Sequence, residues 1–187
     1  MAIIKASNEI GKLYKGSNQI GKVYKGSVLL YQAEMPLYSN GTQNVAWVGQ
    51  GGGYGNGTTT FKGDCVELKS TGQYGNGSRR QSMTTSTKID LTNWNTIKVV
   101  VSGYDGYLRY DAADSFCLGL TSAITPYVYE SATFKADLNP PATTSAKREV
   151  TINIANVSGE YHIGIALAAY KMYDYTDTAY VYSVILE

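Results

Sequence analysis

The sequence is poor in the residues that enzymes most often use. It has one histidine, His162, and two cysteines, Cys65 and Cys117, in 187 residues. A Ser-His-Asp or Cys-His centre needs its histidine beside a nucleophile, with a third group to orient it. No such partner stands near His162 in the sequence, and no G-x-S-x-G elbow occurs; His162 reads as a structural strand residue. Two distant cysteines and one histidine make a poor metal site, and two cysteines are too few for a disulfide framework. Cys65 and Cys117 sit in the strand-like runs DCVELK and SFCLGL and read as packed thiols. Glycoside hydrolysis needs two carboxylates facing each other across a cleft, and none of the 15 acids lies in a signature that nominates it. Asp105, Asp111 and Asp114 in GYDGYLRYDAADS, and Asp174 and Asp177 in YDYTD, miss the calcium-loop spacing D-x-[DN]-x-[DN]-G. They read as solvated loop acids. No catalytic group, metal or cofactor is expected.

Other absences narrow the setting. A net charge of +1 gives no overall pull toward nucleic acid or an anionic membrane. No apolar run approaches the ~18 residues of a membrane-spanning helix. The opening MAIIKASNEIGK lacks the apolar core of a signal peptide, so export by the general secretory route is not expected. The run GQGGGYGNG is no dinucleotide fingerprint, because no helical pattern follows to receive a phosphate.

What is abundant is tyrosine, 17 against three Phe and two Trp, together with 20 Gly. Aromatic and β-branched side chains pack well on pleated surfaces, while Gly and Asn accept the backbone of tight turns. Periodic helical runs are missing, so the fold class is all-β. Residues 1–31 repeat with a period of ten: KASNEIGKLY, KGSNQIGKVY, KGSVLLY. Lys-Gly-Ser-Asn is turn chemistry, and ten residues suit one short strand and one turn. Residues 1–33 are thus expected to form a small antiparallel meander of about three strands. Five lysines against Glu9 make this segment +4 and leave the rest of the chain at −3. The lysines read either as a solvated face that keeps strand edges from aggregating or as part of a docking segment. So small a sheet is marginal alone and needs the main domain, a symmetry mate or a host structure to lean on. For attachment or assembly, strand pairing around Val23, aided by Lys12, Lys15, Lys22 and Lys25, is the expected means.

From Leu37 the strands lengthen. Ile97, Val99 and Val101 alternate with other residues, as do Phe116, Leu118 and Leu120, and Val150, Ile152 and Ile154. Within Tyr161–Ala169, Ile163, Ile165 and Leu167 share one face. Gly164, Ala166 and Ala168 share the other, where a second layer must approach closely. Further strands are expected at Val45–Val48, Thr58–Phe61, Cys65–Ser70, Arg79–Ser86, Tyr127–Ala132 and Ala179–Leu186. Nine or ten strands at this spacing predict an antiparallel, jelly-roll-like β-sandwich over residues 37–187.

The repeat IGKLYKGSNQIGKVYKGSVLLY, followed at once by a sandwich opening with LYSNG, resembles bacteriophage tail, baseplate or fibre-associated proteins. The stretches STKIDLTNWNTIKVVV, EVTINIANVSGEYHIGIALAAY and YVYSVILE are similar to the galactose-binding-like sandwiches of such proteins. The resemblance implies a non-enzymatic virion component made in the bacterial cytoplasm, partnered by other virion proteins and by copies of itself, that binds host-surface carbohydrate. It transfers no sugar-binding motif position by position. A purely structural decoration protein is the alternative, and a polysaccharide-degrading enzyme a distant third.

A second repeat suggests where carbohydrate would bind. GGYGNGT and GQYGNGS place Tyr54 and Tyr74 in matching turns 20 residues apart. Tyrosine combines a large rigid ring with a hydroxyl, which suits recognition. Tyr54, Tyr74 and Trp47, with Tyr104, Tyr107, Tyr173 and Tyr175 nearby, form the expected sugar platform. Against this stands the plainer reading of hairpin turns whose tyrosines fold back on the sheet.

Overall fold

The structure is a computed structural model; it describes residues 14–15, 18–19, 22–25, 28–53, 56–71, 79–103, 116–138, 146–169 and 176–187. Nearly all of their regular structure is strand, the exception being one four-residue helical turn. In the repeat, β1 (Tyr14–Lys15) pairs with β2 (Asn18–Gln19), and β3 (Lys22–Lys25) with β4 (Val28–Gln32). Lys15 faces Asn18 and Lys25 faces Val28, so each strand pair is a short hairpin. Where a meander of about three strands was expected, the described residues of the repeat form two two-stranded sheets. Arms of two to five residues are short enough for one ten-residue unit to hold a whole hairpin.

The remaining strands are β5 (Met35–Ser39), β6 (Thr42–Gln43), β7 (Trp47–Gly53), β8 (Asn56–Phe61), β9 (Val66–Thr71), β10 (Arg79–Thr85) and β11 (Ile89–Asp90). They continue with β12 (Thr96–Gly103), β13 (Phe116–Thr121), β14 (Phe134–Asp137), β15 (Arg148–Asn153), β16 (Glu160–Ala169) and β17 (Thr176–Leu186). One sheet runs β14-β13-β16-β10-β7, with β11 also on β16. The other runs β15-β12-β17, and the far edge of β17 is shared by two strands. Its Thr176–Val181 half pairs with β9, which β8 extends, and its Ser183–Leu186 half pairs with β5, which β6 extends. The expected antiparallel sandwich is what the structure shows. It begins at Met35, because that residue already pairs with Leu186.

Period-two patterning builds the core. Ile163, Ile165 and Leu167 of β16 and Met83 of β10 are fully buried, as are Val99 and Val101 of β12, Leu68 of β9, and Val181 and Val184 of β17. They belong to one continuous apolar cluster between the sheets. The β5–β6 hairpin turns through Asn40 and Gly41, both at positive φ, the two-residue turn that an Asn-Gly pair favours.

The small-residue face of β16 is covered as expected, though by an element read differently from sequence. Residues 127–132, expected to be a strand, make one helical turn, α1 (Val128–Ser131). Ser131 N–H donates to the Tyr127 carbonyl and Ala132 N–H to that of Val128, each at 3.0 Å. Gly119 and Gly164 are direct partners on β13 and β16. A Cβ on either would stand within 2.8 Å of a Val128 methyl, so the two glycines form a socket for that side chain. The alternation of Val128 and Glu130 mimics a strand, but filling the socket requires the chain to coil.

Candidate functional site

The expected site residues divide between the core and the undescribed segments. Trp47 is a correction: it is only 6% exposed, packs in the core, and its indole N–H donates to the Leu37 carbonyl at 3.2 Å. The first position of β7 points inward, so the ring is not offered to a ligand. Tyr54, Tyr74, Tyr104, Tyr107, Tyr173 and Tyr175 lie outside the described residues, as do Asp105, Asp111, Asp114 and Asp174. The strand ends beside the two GNG segments are neighbours, with Gly53 opposite Arg79 and Asn56 opposite Thr71. Asp177 is also a correction, for it belongs to β17 and is buried opposite Ser70 rather than solvated in a loop.

His162 has the structural role expected of it. It is buried, and its Nδ1–H donates to the Thr85 carbonyl at 2.7 Å. Cys65 and Cys117 are buried free thiols, and burial pushes the Cys65 thiol above its ordinary pKa. In the repeat, Val23 is half-buried and Lys25 exposed on β3; Lys22 lies on the same strand and Lys15 on β1, while Lys12 is outside the described residues.

The two faces of the sandwich differ. The outer face of the β10–β16 sheet is covered by the chain itself: α1 seals the glycine socket, Ser82 Oγ donates to the Thr125 carbonyl at 3.2 Å, and Arg80 pairs with Glu130 at 2.5 Å. Among the described residues no strand or helix lies over the outer face of the β12–β17 sheet, where Thr58, Thr60, Lys69, Glu149 and Thr151 are exposed.

Tyr180 and Tyr182 stand half-buried on this open face, flanking the inward Val181. A bulge across from Val100/Val101 interrupts the register beside Tyr182, and bulges re-aim side chains. Tyr182 Oη and Ser102 Oγ are hydrogen-bonded at 2.9 Å. Gly103 lets the Tyr180 ring lie over β12: a Cβ there would stand 3.0 Å from Tyr180 Cδ2, and its φ of +77° is one that L side chains avoid.

The register continues the site across the sheet. Ser102 is opposite Tyr180, Tyr180 opposite Glu67, and Glu67 opposite Thr60. Four strands thus present one transverse row, about 14 Å long at ~4.8 Å per strand. Lys62 closes one end: its Nζ is 2.6 Å from Glu67 Oε2 and 5.6 Å from the Tyr180 ring centroid. Lys147 reaches over Tyr182, its Nζ 3.7 Å from the ring centroid. Desolvation, then the Glu67 charge, holds the Tyr180 phenol above its ordinary pKa, and the hydrogen bond from Lys62 to Glu67 raises the ammonium likewise. Rings, hydroxyls and charges in a shallow row suit non-covalent binding of an extended polar ligand.

Ala179–Leu186 is a strand as expected, but Tyr180 and Tyr182 were not among the expected site residues. The signal was present in Tyr-Val-Tyr: in a strand whose valines face the core, the flanking tyrosines must point the other way.

No protein-family model matches the chain, and no curated protein matches it. Solved structures do resemble it. The family 11 carbohydrate-binding module from Clostridium thermocellum, in complex with a β-1,3-1,4-mixed-linked tetrasaccharide, matches with a TM-score of 0.51 and 11% identity, over 82% of this chain and 94% of that one. A family 11 module of the C. thermocellum cellulosomal cellulase Lic26A-Cel5E gives 0.48 and 10%, over 82% and 93%. The K1 cleaved adhesin domain of Lys-gingipain from Porphyromonas gingivalis W83 gives 0.47 and 12%, over 82% and 97%. The first of these likenesses places the chain in the sandwich fold of carbohydrate-binding modules.

Proposed function

We propose that this chain is a non-catalytic glycan-binding module whose site is the open sheet face centred on Tyr180 and Tyr182. The observation that carries the reading is the tyrosine pair itself, standing outward on a face open to solvent while the opposite face of the sandwich is covered. A pyranose offers an apolar C–H face that stacks on tyrosine and hydroxyls that bond to Ser, Thr and carboxylate groups. Along the row Tyr180, Glu67 and Thr60 supply both kinds of contact, while buried Ser102 holds the Tyr182 hydroxyl. The bound tetrasaccharide of the similar family 11 module makes mixed-linkage β-glucan a suitable first probe.

On this reading the basic hairpins join the module to a larger assembly. The resemblance of the Lys-Gly-Ser repeat to phage tail and fibre proteins supports a virion as that assembly, with other virion proteins and copies of the chain as partners. A shallow row buries little of a sugar, so single-site affinity should be near millimolar, roughly −4 kcal/mol. Many copies on one particle then supply avidity. The test is a glycan array probed with a multimerised form of the full chain, followed by Tyr180→Ala and Tyr182→Ala. Each substitution should lower affinity about tenfold or more, equivalent to ~1.4 kcal/mol, with the melting temperature shifted by no more than about 4 °C. Binding untouched by both substitutions would move the site elsewhere, and no binding by the wild-type multimer would leave a purely structural protein.

A further inference from the structure

The charges around the tyrosine pair narrow the class of ligand, a step that rests on the glycan-binding reading above. Lys147 Nζ stands over the Tyr182 ring and Lys62 Nζ nearer the edge of contact with Tyr180, at 3.7 and 5.6 Å from the centroids. An ammonium over a ring is held there by the negative face of the π-system. It also occupies the place where the C–H face of a sugar would stack. A neutral sugar must displace the cation and can offer it only hydroxyl oxygens, which hold an ammonium less strongly than an anion does. A sugar bearing an anion can take the ring and keep the cation partnered.

The cations on this face do not have equal partners. Lys62 is engaged with Glu67 at 2.6 Å and Lys98 with Glu187 at 2.7 Å. Glu149 and Glu34 also act on Lys98, so the acids gather at that end of the face. Lys147 and Lys69, by contrast, are paired with no carboxylate among the described residues. Lys69 is exposed on β9 opposite Thr178, two positions along from Glu67 on the same face. Two ammonium groups without acidic partners therefore bracket the tyrosines, Lys147 from the β15 side and Lys69 from the β9 side.

The geometry points to an acidic polysaccharide, one carrying carboxylate, sulfate or phosphate groups on its sugars, as the ligand of this face. Its rings stack on Tyr180 and Tyr182 while its anions pair with Lys147 and Lys69.

The test compares binding of the full chain to polygalacturonate, to dextran sulfate and to neutral mixed-linkage β-glucan. At about 0.01 M salt, where charges act over ~30 Å, at least one acidic polymer should bind about tenfold more tightly than the glucan, and the advantage should shrink several-fold by about 0.1 M. Which acidic polymer prevails identifies the anion. The Lys69→Ser, Lys147→Ser double variant should lose the preference, and Tyr180→Ala should lose the acidic polymer as well, which simple ion exchange on surface lysines would not. Glucan binding that equals acidic binding, or that strengthens when the lysines are removed, overturns the inference and leaves the tyrosine site standing. Acidic binding unmoved by Tyr180→Ala overturns it as ion exchange. No polysaccharide bound under any condition sinks the glycan reading itself.

Discussion

Burial raises the phenols of Tyr38 and Tyr180 above their ordinary pKa. The neutral form is the one the fold favours, so the stabilisation is fully present below pH ~10, the unfolded value, and is lost as pH rises through the folded values. Thermal stability should therefore hold level up to about pH 10 and fall above it, with phenolate absorbance from Tyr38 appearing together with unfolding. Tyr38 is fully buried, and among the described residues its hydroxyl makes no well-formed hydrogen bond, the Gly41 backbone nearby offsetting only part of the rise. Tyr38→Phe should thus change stability at neutral pH by less than about 1 kcal/mol, and the variant should keep more of it in alkali. A large loss at neutral pH would mean that the hydroxyl has a partner. Single residues were unevenly legible in the sequence. His162, Cys65 and Cys117 read correctly because scarcity left them no chemistry to share. Trp47 and Asp177 misled because an aromatic beside glycines, or an acid beside tyrosines, looks like a loop surface until strand register decides which way it points.

Among the elements, strands with strict alternation were readable, since patterns such as Ile97-Val99-Val101 have one buried solution. The turn at α1 was not, because its shape answers to a hole in another part of the chain. Gly119 and Gly164 are 45 positions apart and become one socket only through the β13–β16 register. The socket has a measurable consequence. Gly119→Val and Gly164→Val should each destabilise by about 1–3 kcal/mol or more through overpacking against Val128. Val128→Ala should cost about 2 kcal/mol, the loss of two buried methyl equivalents. Chemical denaturation of the three single variants checks this, and a Gly164→Val variant as stable as the parent would show that α1 lifts away freely. The short strands β5, β6, β11 and β14 also escaped prediction, for two to five residues carry too little periodicity.

For the whole molecule, the strand pairings separate the hairpins from the sandwich: among the described residues β1 pairs with β2 and β3 with β4. A chain beginning at residue 34 keeps every sandwich pairing and should melt cooperatively, as expected of about 150 residues around one core. Loss of that transition would show that the hairpins complete the fold. Assembly through strand edges predicts a further contrast. Replacing Lys12, Lys15, Lys22 and Lys25 by Ser should weaken association modestly, because exposed charges contribute little each. Val23→Pro, which removes a donor within β3, should weaken it more. Sedimentation of both variants decides, and the reverse order would favour an electrostatic joint.

The position of β17 has a temporal side. It is the last sandwich strand in the chain, yet it pairs with β12 along one edge and with β9 and β5 end to end along the other. During synthesis those three strands emerge from the ribosome first, and each must wait with an unpaired edge for a partner made after it. The nascent chain is therefore a waiting intermediate of the kind that aggregates or recruits chaperones, and the sheet closes only once β17 has emerged. Nascent chains arrested before residue 176 should stay protease-sensitive throughout, and those arrested once residue 187 has cleared the exit should turn resistant in a single step.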